Sequence, residues 1–274
     1  MNPKAYRLPG HALPDHYTIR LDARPGSPDF HGDVTIRLRL AEAGYIVPEA
    51  PATGLAEEFR LIKRRLLANM ERLGTLPEEK RRSVLVCSSQ PKEGKSFCAV
   101  NLALSLAGER DVEVLLVDGD FTKPDVPAIL GLEGGPGLVD ALADPQADPE
   151  KFLIRTDVPG LSVLPAGRKQ NNVPELLASG RTREVLARLV AGDGRRIILF
   201  DSPPALMASP ATLLAGHVGQ ALVVVRADQT TEADLRETIG LLSGCDHVAL
   251  MLNGAAIAVS GRKYGGYDGY GHGE

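Results

Sequence analysis

Tryptophan is absent from this sequence, and aromatic residues make up only 4% of its 274 positions, while alanine, leucine and glycine are plentiful. Long apolar runs are missing as well. The longest, such as "RRIILFD" and "QALVVVRA", are strand-length and far short of the roughly 20 residues a membrane-spanning helix needs. The opening "MNPKAYRLPGH" has no apolar stretch of the kind found in a signal peptide, so the expected location is the cytoplasm. Three cysteines, Cys87, Cys98 and Cys245, are odd in number and lack metal-ligand spacing, which points to reduced, structural thiols. There is no excess of positive charge: 31 basic against 35 acidic residues, formally −4, give no reason to expect a nucleic-acid partner. A His-Glu-x-x-His zinc motif is also lacking.

What is present is ordinary for a soluble globular protein, with 43% hydrophobic and 24% charged residues. The length suits one large α/β domain with an extra segment. Residues 1–47 contain the alternating patterns "HYTIRLDA" and "GDVTIRLRL" around "RPGSPDFHG", which predict a small N-terminal β segment of unknown role. Residues 48–54 form a Pro/Ala-rich linker. From Leu55, the residues Phe59, Ile62, Leu66 and Met70 recur at helical intervals up to Gly74, predicting an amphipathic helix with a basic middle.

Between residues 83 and 254, strand-like runs alternate with helical segments: "SVLVCSS", "VEVLLVD", "LSVLPA", "RRIILFD", "QALVVVRA" and "HVALMLN". Continuous apolar strands joined by helices predict an α/β fold with a mostly parallel sheet covered by helices on both faces. The tail, residues 255–274, is rich in glycine and tyrosine, and nearly free of aliphatics after Val259. Such a segment cannot bury a core and is expected to be flexible.

The chemistry gathers at strand ends. "SQPKEGKS", residues 89–96, follows a strand and opens a helix, the arrangement in which backbone N–H groups and a helix N-terminus cradle phosphates. In that arrangement Lys95 reaches the β- and γ-phosphates and the Ser96 hydroxyl ligates Mg²⁺. Two further strands end in carboxylates, Asp118 and Asp120 in "VLLVDGDFTKP" and Asp201 in "RRIILFDSPP". Ligands collect at the carboxyl ends of parallel strands. Oxygen ligands there suit Mg²⁺, and one acid could accept a proton from a hydroxyl nucleophile.

The ordered set "SSQPKEGKS", "LLVDGDFTKP", "GLEGGPGLVDAL", "LSVLPAG", "PELLAS" and "IILFDSPPAL" resembles the bacterial tyrosine kinases of the MinD/ParA-like P-loop branch. Within them it resembles most the stand-alone cytoplasmic autokinases of exosortase-linked exopolysaccharide loci. The resemblance covers residues 55–274. It implies ATP and Mg²⁺ as cofactors, with a nucleotide site made by Gln90, Pro91, Lys92, Glu93, Gly94, Lys95, Ser96, Phe97 and, at the base, Asn253. It assigns catalysis to Lys95, Asp118 and Asp120 and the metal to Ser96, Asp118 and Asp201. Tyr264, Tyr267 and Tyr270 become the phosphoacceptors, modified in trans on a neighbouring subunit.

Glu57, Arg60 and Lys63 match an oligomerisation motif, carried by the helix over residues 55–74, implying a homo-oligomeric ring. A membrane polysaccharide co-polymerase, or chain-length regulator, would be the activator that holds the chain at the inner membrane. A tyrosine phosphatase would be the opposing enzyme.

The pattern departs from the family at two places: Lys92 stands where a glycine is usual, and Thr122 where an arginine is usual. Two other functions therefore remain in view, a ParA/MinD-like positioning ATPase and a nucleotide-gated scaffold without efficient phosphotransfer. Against the first, Gln90 occupies the place of that branch's signature lysine. Residues 5–40 resemble the opening strands of aminopeptidase N-type enzymes. Without a zinc motif no peptidase activity follows, and His11, His16 and His31 read as surface residues.

Overall fold

The computed structural model describes residues 40, 43–47, 53–156 and 158–255. The N-terminal β segment up to residue 39 and the three tail tyrosines lie outside the described residues.

Helix α1 (Gly54–Arg72) starts at Thr53, whose hydroxyl accepts the Ala56 N–H at 3.2 Å and so satisfies one of the helix's unpaired donors. Its buried stripe is Phe59, Lys63, Leu66 and Met70, a 4-3-4 spacing that keeps one face inward. A lysine fits this stripe because its methylene stem packs while the ammonium reaches polar partners: Lys63 Nζ donates to the Ser105 carbonyl at 2.8 Å and pairs with Glu109 at 2.7 Å.

After the short helix α2 (Glu78–Arg81), a seven-stranded sheet is threaded in the order β3-β4-β2-β5-β1-β6-β7. Its strands are β1 (Ser83–Ser88), β2 (Glu113–Asp118), β3 (Ile154–Arg155), β4 (Leu161–Leu164), β5 (Arg196–Asp201), β6 (Gln220–Arg226) and β7 (His247–Asn253). All neighbours pair in parallel except the two-residue β3, which runs antiparallel to β4 at one edge. The six sequence-predicted strands are all present. Strand β3 is too short to carry a periodic signal.

Side chains alternate across the strands and feed two cores. On one face, Val84, Val86, Val114, Leu116, Ile197 and Leu199 pack under α1 and helix α3 (Lys95–Ala107). On the other, Leu85, Cys87, Leu115, Val117, Ile198 and Phe200 pack under α5 (Leu138–Ala143), α6 (Val173–Ala178), α7 (Gly180–Gly192) and α8 (Ser209–Ala215). Two further helices are α4 (Val126–Ile129) and α9 (Glu232–Leu241). The three cysteines are free thiols, with Cys87 and Cys98 buried. Among the described residues no helix is long and apolar enough to cross a membrane.

Residues 43–47, placed by sequence in the N-terminal extension, lie on the same core. The Tyr45 ring meets that of Phe97 at a centroid separation of 5.0 Å, and the Ile46 N–H donates to Asn101 Oδ1 at 2.6 Å. This strap therefore packs on the first turns of α3, immediately behind the phosphate loop.

Candidate nucleotide site

Strand β1 sits in the middle of the sheet with β5 on one side and β6 on the other. The loop that leaves it, residues 89–94, therefore opens at the centre of the sheet's carboxyl edge. Gly94, at φ +97°, caps α3 in a conformation that side chains rarely adopt, and a Cβ there would collide with the Asn253 amide. Lys92 holds φ +69° and is exposed. Its side chain thus does not crowd the loop, but its backbone occupies the left-handed region where the family's glycine is at ease.

The loop is braced from behind. Glu93 is 3% exposed, and its carboxylate accepts the Gln90 N–H at 2.8 Å and the Thr230 hydroxyl. Thr230 in turn accepts the Arg226 N–H at 2.8 Å. Asn253 Nδ2 donates to the Glu93 carbonyl at 2.8 Å, and Gln90 Nε2 reaches Asp234 at 3.4 Å. Glu93 and Asn253 thus lock the phosphate loop to the ends of β6 and β7. Pro91 and Lys92 remain on the open surface, and Phe97 is held by Tyr45. Thr230 is a member of this assembly that the sequence reading missed, because nothing local marks a threonine some 137 residues away as a partner of Glu93.

The carboxylates converge as β2 and β5 lie side by side, with Asp118 and Asp201 as directly paired positions. Gly119 is required between Asp118 and Asp120, since its N–H donates to the Asp201 carbonyl at 2.6 Å and a Cβ would come within 2.8 Å of that oxygen. Lys95 Nζ lies 3.0 Å from Asp120 Oδ2 and 3.3 Å from the Ser96 hydroxyl. Burial disfavours the charge on Lys95, yet Asp201 and Asp120 outweigh it and raise its pKa. Burial likewise opposes the charge on Asp120, but the Thr122 hydroxyl (2.6 Å), Lys95 and the Lys123 N–H (3.1 Å) hold it below the usual carboxylate range.

Asp118 and Asp201 behave differently. Burial pushes Asp118 up to about 7, although its oxygens accept the N–H groups of Val126 at 3.0 Å and Asp120 at 3.2 Å. Asp201 is also pushed up to about 7 by burial, with Lys95 and Ser96 nearby insufficient to offset it. Both of its carboxylate oxygens are buried without a hydrogen-bond partner among the described residues. Asp125, another residue absent from the sequence reading, adds negative charge beside both and has one orphaned oxygen of its own. An orphaned carboxylate next to a serine and a lysine fits a divalent cation, which would supply the missing partner.

The expected oligomerisation residues divide. Glu57 and Arg60 form an ion pair on the outer surface of α1, whereas Lys63 turns into the chain. Lys63 is engaged internally because its position falls in the buried stripe. Arg64 and Arg65, the next two residues, are exposed.

Residues 79–243 match the family model described as "ParA: NUBPL iron-transfer P-loop NTPase". The chain is 35% identical over 158 residues to EpsB of Ralstonia nicotianae, covering 57% of this chain and 20% of that protein. It is 28% identical to tyrosine-protein kinase YwqD of Bacillus subtilis, covering 79% of this chain and 85% of that one. Its structure resembles the kinase domain of VpsO with a TM-score of 0.55 at 31% identity, over 71% of this chain and 96% of the domain. The chain spans only a fifth to a quarter of the length of EpsB and some other relatives. With the phosphate loop and its carboxylates in the order the motifs require, the chain belongs to the ParA-type P-loop NTPases and, within them, to the bacterial tyrosine-kinase family.

Proposed function

We propose that this chain is an ATP-dependent protein-tyrosine autokinase that modifies Tyr264, Tyr267 and Tyr270 on the tail of a second copy. The observation that carries the reading is the meeting of Lys95, Asp120 and the orphaned Asp201 at one point of the sheet edge. In phosphoryl transfer the protein's work is positioning and charge stabilisation. The loop N–H groups and the N-terminus of α3 would hold the phosphates, with Lys95 leaving Asp120 to meet the γ-phosphate. Ser96, Asp201 and Asp118 would hold Mg²⁺, which would supply positive charge to offset that of the phosphates. The tyrosine oxygen bonds to the γ-phosphorus as the bond to the bridging oxygen of ADP breaks. Asp118 or Asp120 takes the phenolic proton.

A role in exopolysaccharide production, a ring of subunits, activation by a membrane polysaccharide co-polymerase and reversal by a tyrosine phosphatase complete the reading. They rest on the family resemblance, as does a cytoplasmic place at the inner membrane. A positioning ATPase is the second reading, favoured by the family model's ParA description.

The test is incubation of the full chain with Mg-ATP, followed by mass spectrometry of the tail, with Lys95→Met as control. Phosphate on the tail tyrosines that requires Lys95 supports the autokinase. ATP hydrolysis with an unmodified tail supports the ATPase. Bound ATP with neither outcome supports a nucleotide-gated scaffold.

A further inference from the structure

Beside the carboxylate cluster lies a groove of about 90 Å³ that the transfer reaction leaves unused. Its floor is apolar, with Val139 and Val173 buried and Phe121 half-buried, and its exposed rim carries Arg168 and Lys169. It adjoins the reaction centre directly, since Thr122 lines it and donates its hydroxyl to Asp120 at 2.6 Å.

The rim is a built feature. Asp140 Oδ2 accepts the N–H groups of Gly137 at 2.9 Å and Arg168 at 3.0 Å, fixing the loop after β4 onto the start of α5. Gly167 takes φ +97° there, and a Cβ would press against Asp140 at 2.5 Å. The backbone is held while the cations face solvent: the Arg168 side chain is 78% exposed, although its Nε also pairs loosely with Asp140 at 3.6 Å. Lys169 is exposed and has no carboxylate partner within ion-pair distance among the described residues.

An aromatic-sized apolar floor with a cationic rim suits a phosphorylated phenol ring. We propose that this groove binds a phosphotyrosine of the C-terminal tail from a second copy, so that one modified tyrosine delivers the next to the reaction centre. The proposal rests on the autokinase reading for the origin of the phosphate. The tail tyrosines recur every three residues, and three extended residues span about 10 Å, so neighbouring tyrosines can reach separate sites at the same time. Charge drives the step in one direction. A new phosphate carries about −1.5 to −2 charges, so it is repelled by Asp118, Asp120, Asp125 and Asp201 and attracted by Arg168 and Lys169.

The first experiment uses the full chain carrying Lys95→Met, which cannot alter its own tail, and a fluorescent peptide of residues 262–274. Phosphorylation of the peptide at Tyr267 should tighten binding by about tenfold, as for charge-assisted hydrogen bonds to an exposed cation pair. Adding R168E and K169E should erase that preference while leaving thermal unfolding and nucleotide binding at the parental level. Should the double variant misfold, Lys169→Ala should still reduce the preference severalfold. Equal affinity for the two peptides, or a preference that survives these substitutions, overturns the proposal.

The second experiment measures transfer by the parent chain to the same peptide, with and without phosphate at Tyr270. The modified peptide should show about tenfold lower KM at unchanged kcat, and the rim substitutions should remove only that gain. Transfer with equal KM overturns the groove and leaves the autokinase standing. Absence of any transfer overturns the autokinase, while the binding measurement still decides the groove.

Discussion

Lys95 Nζ stands 3.0 Å from Asp120 Oδ2, so the lysine that would meet the γ-phosphate is held by a carboxylate of the same site. Nucleotide must compete with Asp120 for this ammonium, and Asp120 also repels the phosphates. Asp120→Asn should therefore bind ATP about three- to tenfold more tightly while transfer falls about a hundredfold or more. A fluorescent-nucleotide titration beside a tail-phosphorylation assay checks both. Weaker nucleotide binding by the variant would contradict this account of the pair.

Asp201 yields a pH dependence of stability in the absence of nucleotide and metal. Its folded pKa is raised by burial from 3.8 to about 7, so the folded chain keeps a proton that the unfolded chain has released between those values. That contribution is complete below about pH 4 and is lost as pH rises toward 7. Asp118 acts in the same sense. His217 runs the other way, since burial lowers its pKa and its contribution fades as pH falls through 6.5. Asp201→Asn should thus exceed the parent in stability at pH 7.5 by more than about 1 kcal/mol. Urea titrations should show the gap closing near pH 4, and a pH-independent gap would refute the assignment.

The part-buried bond between Glu93 and Thr230 ties the phosphate loop to the β6–α9 connection. Thr230→Val leaves one carboxylate oxygen and the Arg226 N–H short of a partner, which should reduce stability by about 1–3 kcal/mol. The loop should also open more often, raising the KM for ATP severalfold without a matching change in kcat. Amide exchange at residues 89–96 provides a direct readout.

Lys92 supports the opposite prediction. Its φ of +69° burdens a non-glycine backbone by about 1–2 kcal/mol, partly offset by glycine's larger loss of chain entropy. Lys92→Gly should therefore be neutral or stabilising by up to about 1 kcal/mol, as chemical denaturation can measure. A destabilised variant would mean that the exposed ammonium makes a contact of its own.

On α1, Lys63 and Arg60 should separate stability from assembly. Lys63→Ala removes a buried stem and the hydrogen bond to Ser105, which should lower stability by about 2–3 kcal/mol. Arg60→Ala with Arg64→Ala touches only exposed side chains, so unfolding should shift by less than about 1 kcal/mol. Sedimentation of each variant tests assembly: the Arg60/Arg64 pair should reduce any oligomer, and Lys63→Ala should not do so beyond its loss of folded chain.

The sequence by itself determined the six long strands, the phosphate loop at residues 89–96 and the acids that close β2 and β5, because each is written in a local run of residues. Apolar continuity marks a buried strand, and small residues before Gly-Lys-Ser mark the turn into α3. Helix α1 was legible from the same kind of period, though its cap at Thr53 and the inward turn of Lys63 were not. Only the tertiary structure decided that β5 inserts between β2 and β1, which sets Asp118 beside Asp201. It alone joined Glu93 to Thr230, brought Asp125 against the carboxylates and laid Tyr45 on Phe97. These contacts link residues far apart in the chain, and neither period nor propensity records which distant strand or loop will close on another. That choice belongs to the packing of the whole sheet, whose two buried faces admit few other threadings.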